Sequence, residues 1–143
     1  MEFVTEWIAI GNCFDARNIK ALKEARIEAV LCVADWVRMP RKKYNEAGIV
    51  SRKLPIEDAK PLPPEREVAF LAALRFVDHI VGTQKRCLIH CAAGISRSAA
   101  FIAVWLHTRK GMDYDDAIAL IRSVRPIADP QPEPFASMKK MAY

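Results

Sequence analysis

Residues 87–98 read CLIHCAAGISRS and hold most of the reactive potential of the chain. Cys91 and Arg97 bracket Ala92, Ala93, Gly94, Ile95 and Ser96, all small except Ile95. The stretch before Cys91 is apolar and strand-forming, and a helix begins at Arg97. A strand therefore delivers the chain into a tight loop that opens onto a helix N-terminus. Backbone N–H groups in such a loop converge on one spot and carry positive partial charge, which suits an oxyanion. Gly94 can take a positive φ, so the amides can turn inward without a Cβ clash. Arg97 adds a planar fork that matches two oxygens of one anion.

The same features act on Cys91. A thiol at a helix N-terminus, beside an arginine, has its pKa drawn down from roughly 8.5 into a range of about 3.5–7.5. It is then a thiolate at neutral pH, and the thiolate is the nucleophile. A phosphate ester in the cradle would hold its phosphorus over the sulfur. Ser98 could donate its hydroxyl to that sulfur and ease its departure in a second step. His90 is expected to bond the loop backbone and fix its shape, because a charged sulfur needs no base. The bland alternative is a buried cysteine and a surface arginine at a chance spacing. His90, Gly94 and Ser98 argue against it.

The flanking elements must present this loop from a packed core. Glu6–Ile10 reads as a short strand ending at a Gly11-Asn12 turn. Asp15 reads as the N-cap of a helix reaching about Ala25. Ile27–Ala34 is a buried strand, and a short helix over Arg41–Ala47 ends at Gly48. Ile49–Ile56 reads as a strand and 57–64 as a stiff proline loop. A long helix from Pro64 to Gly82 carries a buried stripe of Phe70, Leu74, Val77 and Val81. Arg86–His90 is a buried strand. The helix from Arg97 to Lys110 is apolar almost all round and should cross the core; Gly111 closes it. Asp113 caps a helix through Val124, and after several prolines a last helix spans Pro134–Met141. Strands alternate with helices early and helices dominate late. That order predicts an α/β fold, a small central mixed sheet of about four or five strands with helices on both faces.

Length and composition set outer bounds. The 143 residues are the size of one domain, so residues 1–143 are expected to form a single catalytic unit. With 52% hydrophobic and 27% charged residues, wholesale disorder is excluded. The 22 basic and 17 acidic residues leave +5, a field that favours anions without naming one. The N-terminus shows no secretory pattern, and the apolar stretch near Ala99–Leu106 is far short of the roughly 18 residues of a membrane span. Cys13, Cys32, Cys87 and Cys91 form no C-x-x-C pair, and Cys13, Cys32 and Cys87 read as small hydrophobes in a reducing compartment. A cytoplasmic protein, with no membrane association, is expected.

His90 through Ser98, HCAAGISRS, matches H-C-x-x-G-x-x-R-[S/T], the signature of the cysteine-based protein tyrosine phosphatase superfamily. The whole chain resembles the dual-specificity branch. WIAIGN is similar to its opening strand, YNEAGI followed by KLPIED to its third strand and acid loop, and RSVRPIADP to its closing region. The resemblance implies a protein tyrosine phosphatase-like fold and a metal-independent, cofactor-free phosphoester hydrolase working through a phosphocysteine. Cys91 would be the nucleophile, Arg97 and the amides of residues 92–97 the phosphate site, Ser98 the aid to the leaving thiolate, and His90 the shaper of the loop.

Displacing an alkoxide needs a proton donor on the leaving oxygen. The branch places an aspartate some thirty residues before its cysteine. Asp58 lies 33 residues ahead of Cys91 and is the candidate; Glu57 is the competitor. Asp35 and Arg125 are candidates for the pocket rim, Arg125 by contact with a second phosphate. The expected substrate is a phosphoprotein or phosphopeptide, bearing phosphotyrosine and also phosphoserine or phosphothreonine. A phosphoinositide or an RNA 5′-end remains as an alternative, although Ala92, Ala93 and Ile95 carry no charge to meet extra ring phosphates. Nucleic acid is not the favoured partner, and a monomer is expected. Arg38, Arg41, Lys42 and Lys43 form a basic cluster, either an attractor for acidic peptides or a solvated helix face. A non-catalytic phosphate-binding module is the reading from another class, and retention of Cys91, Arg97 and Asp58 weighs against it.

Overall fold

The computed structural model describes all residues from Met1 to Tyr143. One five-stranded sheet runs through it, in the order β1 (Glu2–Phe3), β2 (Ile8–Gly11), β5 (Arg86–His90), β3 (Ile27–Cys32) and β4 (Val50–Lys53). β1 is antiparallel to β2, and every other neighbouring pair is parallel. The sheet is mixed, as the element order implied. β2, β5 and β3 are covered on both faces, which is why they read as continuous apolar runs rather than alternating ones.

Strand parity sorts the buried side chains into two cores. Ala9, Val30 and Leu88 point to the smaller one, with Ala16, Leu22 and Tyr44. Those last three come from α1 (Cys13–Arg17), α2 (Ile19–Glu24) and α3 (Arg41–Glu46). Ile8, Ile10, Ala29, Leu31, Cys87 and Ile89 point to the larger core. It is roofed by α4 (Glu67–Gly82), α5 (Arg97–Lys110), α6 (Tyr114–Val124) and α7 (Pro132–Met141). α5 is buried without interruption from Arg97 to Leu106, as its all-round apolar sequence required. Phe70 of α4 meets Phe101 of α5 edge-on, with ring centroids 5.9 Å apart.

Because β2, β5, β3 and β4 run parallel, their carboxyl ends lie along one edge of the sheet, where open α/β sheets bind ligands. That edge receives the loops carrying Asn12, Asp35, Asp58 and Cys91.

Several boundaries differ from expectation for local reasons. The N-cap of the first helix is Asn12, not Asp15; Asp15 is its N3 partner in a capping box, with bonds of 2.8 and 2.9 Å. Asn18 then breaks the expected helix and caps α2 by accepting from the Ala21 N–H. β2 starts at Ile8 because Thr5 Oγ1 takes the N–H groups of Trp7 and Ile8 and bends the approach. β4 stops at Lys53, although the Leu54 N–H still donates to the Cys32 carbonyl. Ile80 rather than Val81 completes the buried stripe of α4. α7 starts two residues early, with Pro132 at a first-turn position where its missing N–H costs nothing. β1 has no signal of its own, being only two residues long.

The α4–α5 contact fixes the helix that carries Arg97. Phe101→Ala is expected to lower stability by about 3–5 kcal/mol, read as a lower denaturant midpoint at unchanged slope.

Candidate active site

The loop between β5 and α5 is held from behind by its carbonyls. The Cys91 carbonyl accepts from His90 Nδ1 at 3.0 Å. The Ala92 carbonyl accepts from the Cys13 N–H at 2.9 Å. Arg125 serves the next two, with Nη2 to Ala93 at 3.1 Å and Nε to Gly94 at 2.6 Å. The Ile95 carbonyl takes the Asp129 N–H at 2.8 Å, and the Ser96 carbonyl takes the Ala100 N–H of α5 at 2.9 Å. No peptide bond is cis. In a trans peptide the C=O and N–H point in opposite directions. Each carbonyl drawn outward therefore turns the following N–H, from Ala92 to Arg97, toward the inside of the loop.

Gly94 is required for this turn. Its φ is +68°, and a Cβ there would lie 2.6 Å from the Gly11 carbonyl oxygen and 2.7 Å from Arg125 Nη2. The closeness of β2 to the loop leaves no room for a side chain.

Cys91 sits inside, with Sγ 3.3 Å from Ser98 Oγ. Burial pushes its thiol up, but the Ser98 hydroxyl, the Ser98 and Gly94 N–H groups and the Arg97 charge outweigh burial and hold it below the ordinary cysteine range. Cys87, four residues earlier on β5, shows burial with little relief: its thiol is pushed up to about 12. Burial likewise raises Cys32. All four cysteines are free.

Since a carbonyl can only accept, His90 Nδ1 carries the proton. Nε2 is then a bare acceptor, and it is buried without a partner. Burial lowers the His90 pKa, which keeps the ring neutral near pH 7. His90 thus holds the loop backbone.

Arg97 is buried, and Nη1 donates to the Ile56 carbonyl at 2.9 Å and to Asp35 Oδ1 at 3.1 Å. Its Nε lies 3.7 Å from Asp58 Oδ1. The guanidinium therefore ties the end of β3, the end of β4 and the acid loop to the cradle. A cavity of about 200 Å³ opens over the sulfur, lined by Asp58, Cys91, Ala92, Ala93, Ile95, Ser96, Arg97 and Gln131. Asp58 reaches this cavity. Glu57, its competitor, turns away to pair with Lys60 at 3.3 Å. Asp35 is exposed and pairs with Arg97 at 3.1 Å, but it lines the neighbouring cavity with Ile56 and Glu57 rather than the one over the sulfur.

Arg125 is the clear correction. It does not stand at the pocket mouth to meet a second phosphate. It is buried behind the loop, where it donates to two carbonyls and pairs with Glu2 through Nη1 at 2.8 and 3.1 Å. An arginine before a proline in a closing loop reads as exposed; the long-range partner that buries it has no sequence signal. None of Arg38, Arg41, Lys42 and Lys43 lines the cavity. Gln131 carries no sequence signal, because it sits in an irregular proline stretch. Its N–H donates to Ser96 Oγ at 2.9 Å, and its Oε1 is buried without a partner beside the site.

Comparison with known proteins agrees with this geometry. The pattern of the dual specificity phosphatase catalytic domain matches residues 8–141. The chain belongs to that family. It is 27% identical over 131 residues to human dual specificity protein phosphatase 15, covering 92% of this chain and 42% of that protein. It is 27% identical over 130 residues to the Drosophila dual specificity phosphatase Mpk3, covering 91% of this chain and 31% of that protein. The chain thus spans less than half the length of these two relatives. Among solved structures, a mouse dual specificity phosphatase superposes with a TM-score of 0.84 at 25% identity, covering 99% of this chain and 85% of the other. Human DUSP28 superposes with a TM-score of 0.82 at 20% identity over 99% and 91% of the two chains, a likeness of fold. No helix is long and apolar enough to cross a membrane.

Removing the Ser98 hydroxyl tests the electrostatics around the Cys91 sulfur. In Ser98→Ala the pH midpoint for alkylation of Cys91 by iodoacetamide should move upward, because a donor to the thiolate is lost. An unmoved midpoint would assign the lowered pKa to the backbone and Arg97 alone.

Proposed function

We propose that residues 1–143 form one catalytic domain that hydrolyses phosphate monoesters through a phosphocysteine, acting on phosphotyrosine and on phosphoserine or phosphothreonine in proteins. The observation that carries the reading is the set of inward N–H groups around a thiol of lowered pKa, with Asp58 lining the same cavity. A tetrahedral oxyanion fits that cradle, and the related mouse phosphatase was solved with zinc tungstate.

In the first step, Cys91 Sγ attacks phosphorus. The P–S bond forms and the bond to the leaving oxygen breaks, while Asp58 gives its proton to that oxygen. The inward amides and Arg97 hold the equatorial oxygens, whose charge is spread in the transition state. In the second step, Asp58 takes a proton from water, water oxygen bonds to phosphorus, and the P–S bond breaks. The Ser98 hydroxyl, 3.3 Å from the sulfur, donates to the departing thiolate.

Ala92, Ala93 and Ile95 support a protein over a phosphoinositide, because the loop carries no cation to meet further phosphates. Cys91, Arg97 and Asp58 in one cavity favour an enzyme over a phosphate-binding module. The cytoplasmic reading rests on the four unpaired thiols.

Turnover of two aryl phosphates decides the mechanism. Cys91→Ser should abolish hydrolysis. Asp58→Asn should cost about 10²–10⁴-fold on phenyl phosphate and far less on p-nitrophenyl phosphate, whose leaving group needs little protonation. Background-level activity shared by wild type and Cys91→Ser would reject the enzyme reading. Equal losses on both esters would move the acid role away from Asp58.

A further inference from the structure

The carbonyls of Ala93 and Gly94 are the only two of the loop held by one side chain, and that side chain is long, flexible and buried. The Arg125 guanidinium presents its Nε–Nη2 edge to these carbonyls, at 2.6 and 3.1 Å. Its remaining nitrogen, Nη1, meets both carboxylate oxygens of Glu2, at 2.8 and 3.1 Å. Arg125 is 6% exposed. A guanidinium at that depth needs a counter-charge, because carbonyl dipoles alone do not offset its lost hydration. Glu2 is the only acidic side chain in contact with it. The carboxylate reaches it because β1 pairs with β2, placing Glu2 opposite Ile10, next to Gly11, whose carbonyl leaves no room for a Cβ at Gly94. The α-ammonium of Met1 lies 3.3 Å from the same carboxylate.

From this chain of contacts we propose that Glu2 is a positioning residue for the oxyanion cradle: it fixes the Arg125 plane, which turns the Gly94 and Ile95 N–H groups toward Cys91 and the bound anion. The inference rests on the phosphatase reading above. It assigns a part in catalysis to a two-residue edge strand remote in sequence from every site residue. Planarity makes the coupling specific. If Arg125 tilts, the Ala93–Gly94 and Gly94–Ile95 peptides can rotate, and two of the inward donors are lost while the strand and helix around them remain.

The test compares Glu2→Gln with Asp78→Asn, in the full chain. Asp78 holds Trp105 and Arg109 on the far side of the larger core and touches nothing in the loop. It is the control for a general loss of packing. Two quantities are read: inhibition of p-nitrophenyl phosphate hydrolysis by tungstate, and the pH midpoint of Cys91 alkylation. Glu2→Gln should weaken tungstate inhibition about tenfold, the scale of one hydrogen bond to a charged group, and raise the alkylation midpoint. Asp78→Asn should change neither, even where it lowers the melting temperature as much. Glu2→Asp should recover part of the tungstate affinity by restoring the charge. If Glu2→Gln leaves both readings at wild-type values, or if Asp78→Asn moves them equally, the inference is overturned. Wild-type protein that neither hydrolyses the ester nor alkylates at low pH would instead reject the phosphatase reading, and the positioning role with it.

Discussion

A peptide unit can turn its N–H into a cavity only when the C=O on the opposite side of the same plane has a partner elsewhere. In this protein six consecutive carbonyls, Cys91 to Ser96, have such partners. The partners come from β5 itself, from α1, from the 125–129 segment and from α5. Much of the tertiary structure can be understood as the support for that arrangement. β2 approaches closely enough to require glycine at position 94. α1 begins at Cys13, whose N–H has no acceptor within the helix and donates to the Ala92 carbonyl. The segment after α6 wraps back under the loop instead of leaving the surface.

The same arrangement sets the chemistry. Burial by itself makes a thiol less acidic, as Cys87 and Cys32 show. Cys91 is buried as well, yet its pKa falls, because donors and a cation are aimed at the sulfur. The proposed nucleophile and the proposed anion site are thus one electrostatic object. Arg97 belongs to it and extends it outward, through the Ile56 carbonyl and Asp35, to the loop that bears Asp58. An anion entering the cradle would meet a guanidinium already held by Asp35 and the Ile56 carbonyl, in the loops that follow β3 and β4.

Local features were legible in the sequence. The strand–loop–helix order, the glycine at the turn, the capped α6 and the all-round apolar α5 follow from short-range patterns. HCAAGISRS marked the thiol whose pKa is lowered and the loop whose carbonyls are held outward. What sequence could not show depends on pairs far apart in the chain. Arg125 reads as a surface cation until Glu2, 123 residues away, is found beside it. Gln131 lies among prolines with no periodicity to place it. The misplaced cap at Asp15 is a different kind of error: a capping box contains two residues able to cap, and only the backbone decides which stands first.

Because the protein's own groups hold all six carbonyls outward, the cradle needs no anion to form. The most direct measurement is the amide proton spectrum of residues 92–97 as inorganic phosphate is added. A formed cradle predicts that the six amides are resolved in the free protein and shift downfield together in one saturable step. The Gly94 and Ile95 signals should be among the largest movers. Amides that are broadened without phosphate, or that stay in place while other regions shift, would contradict it.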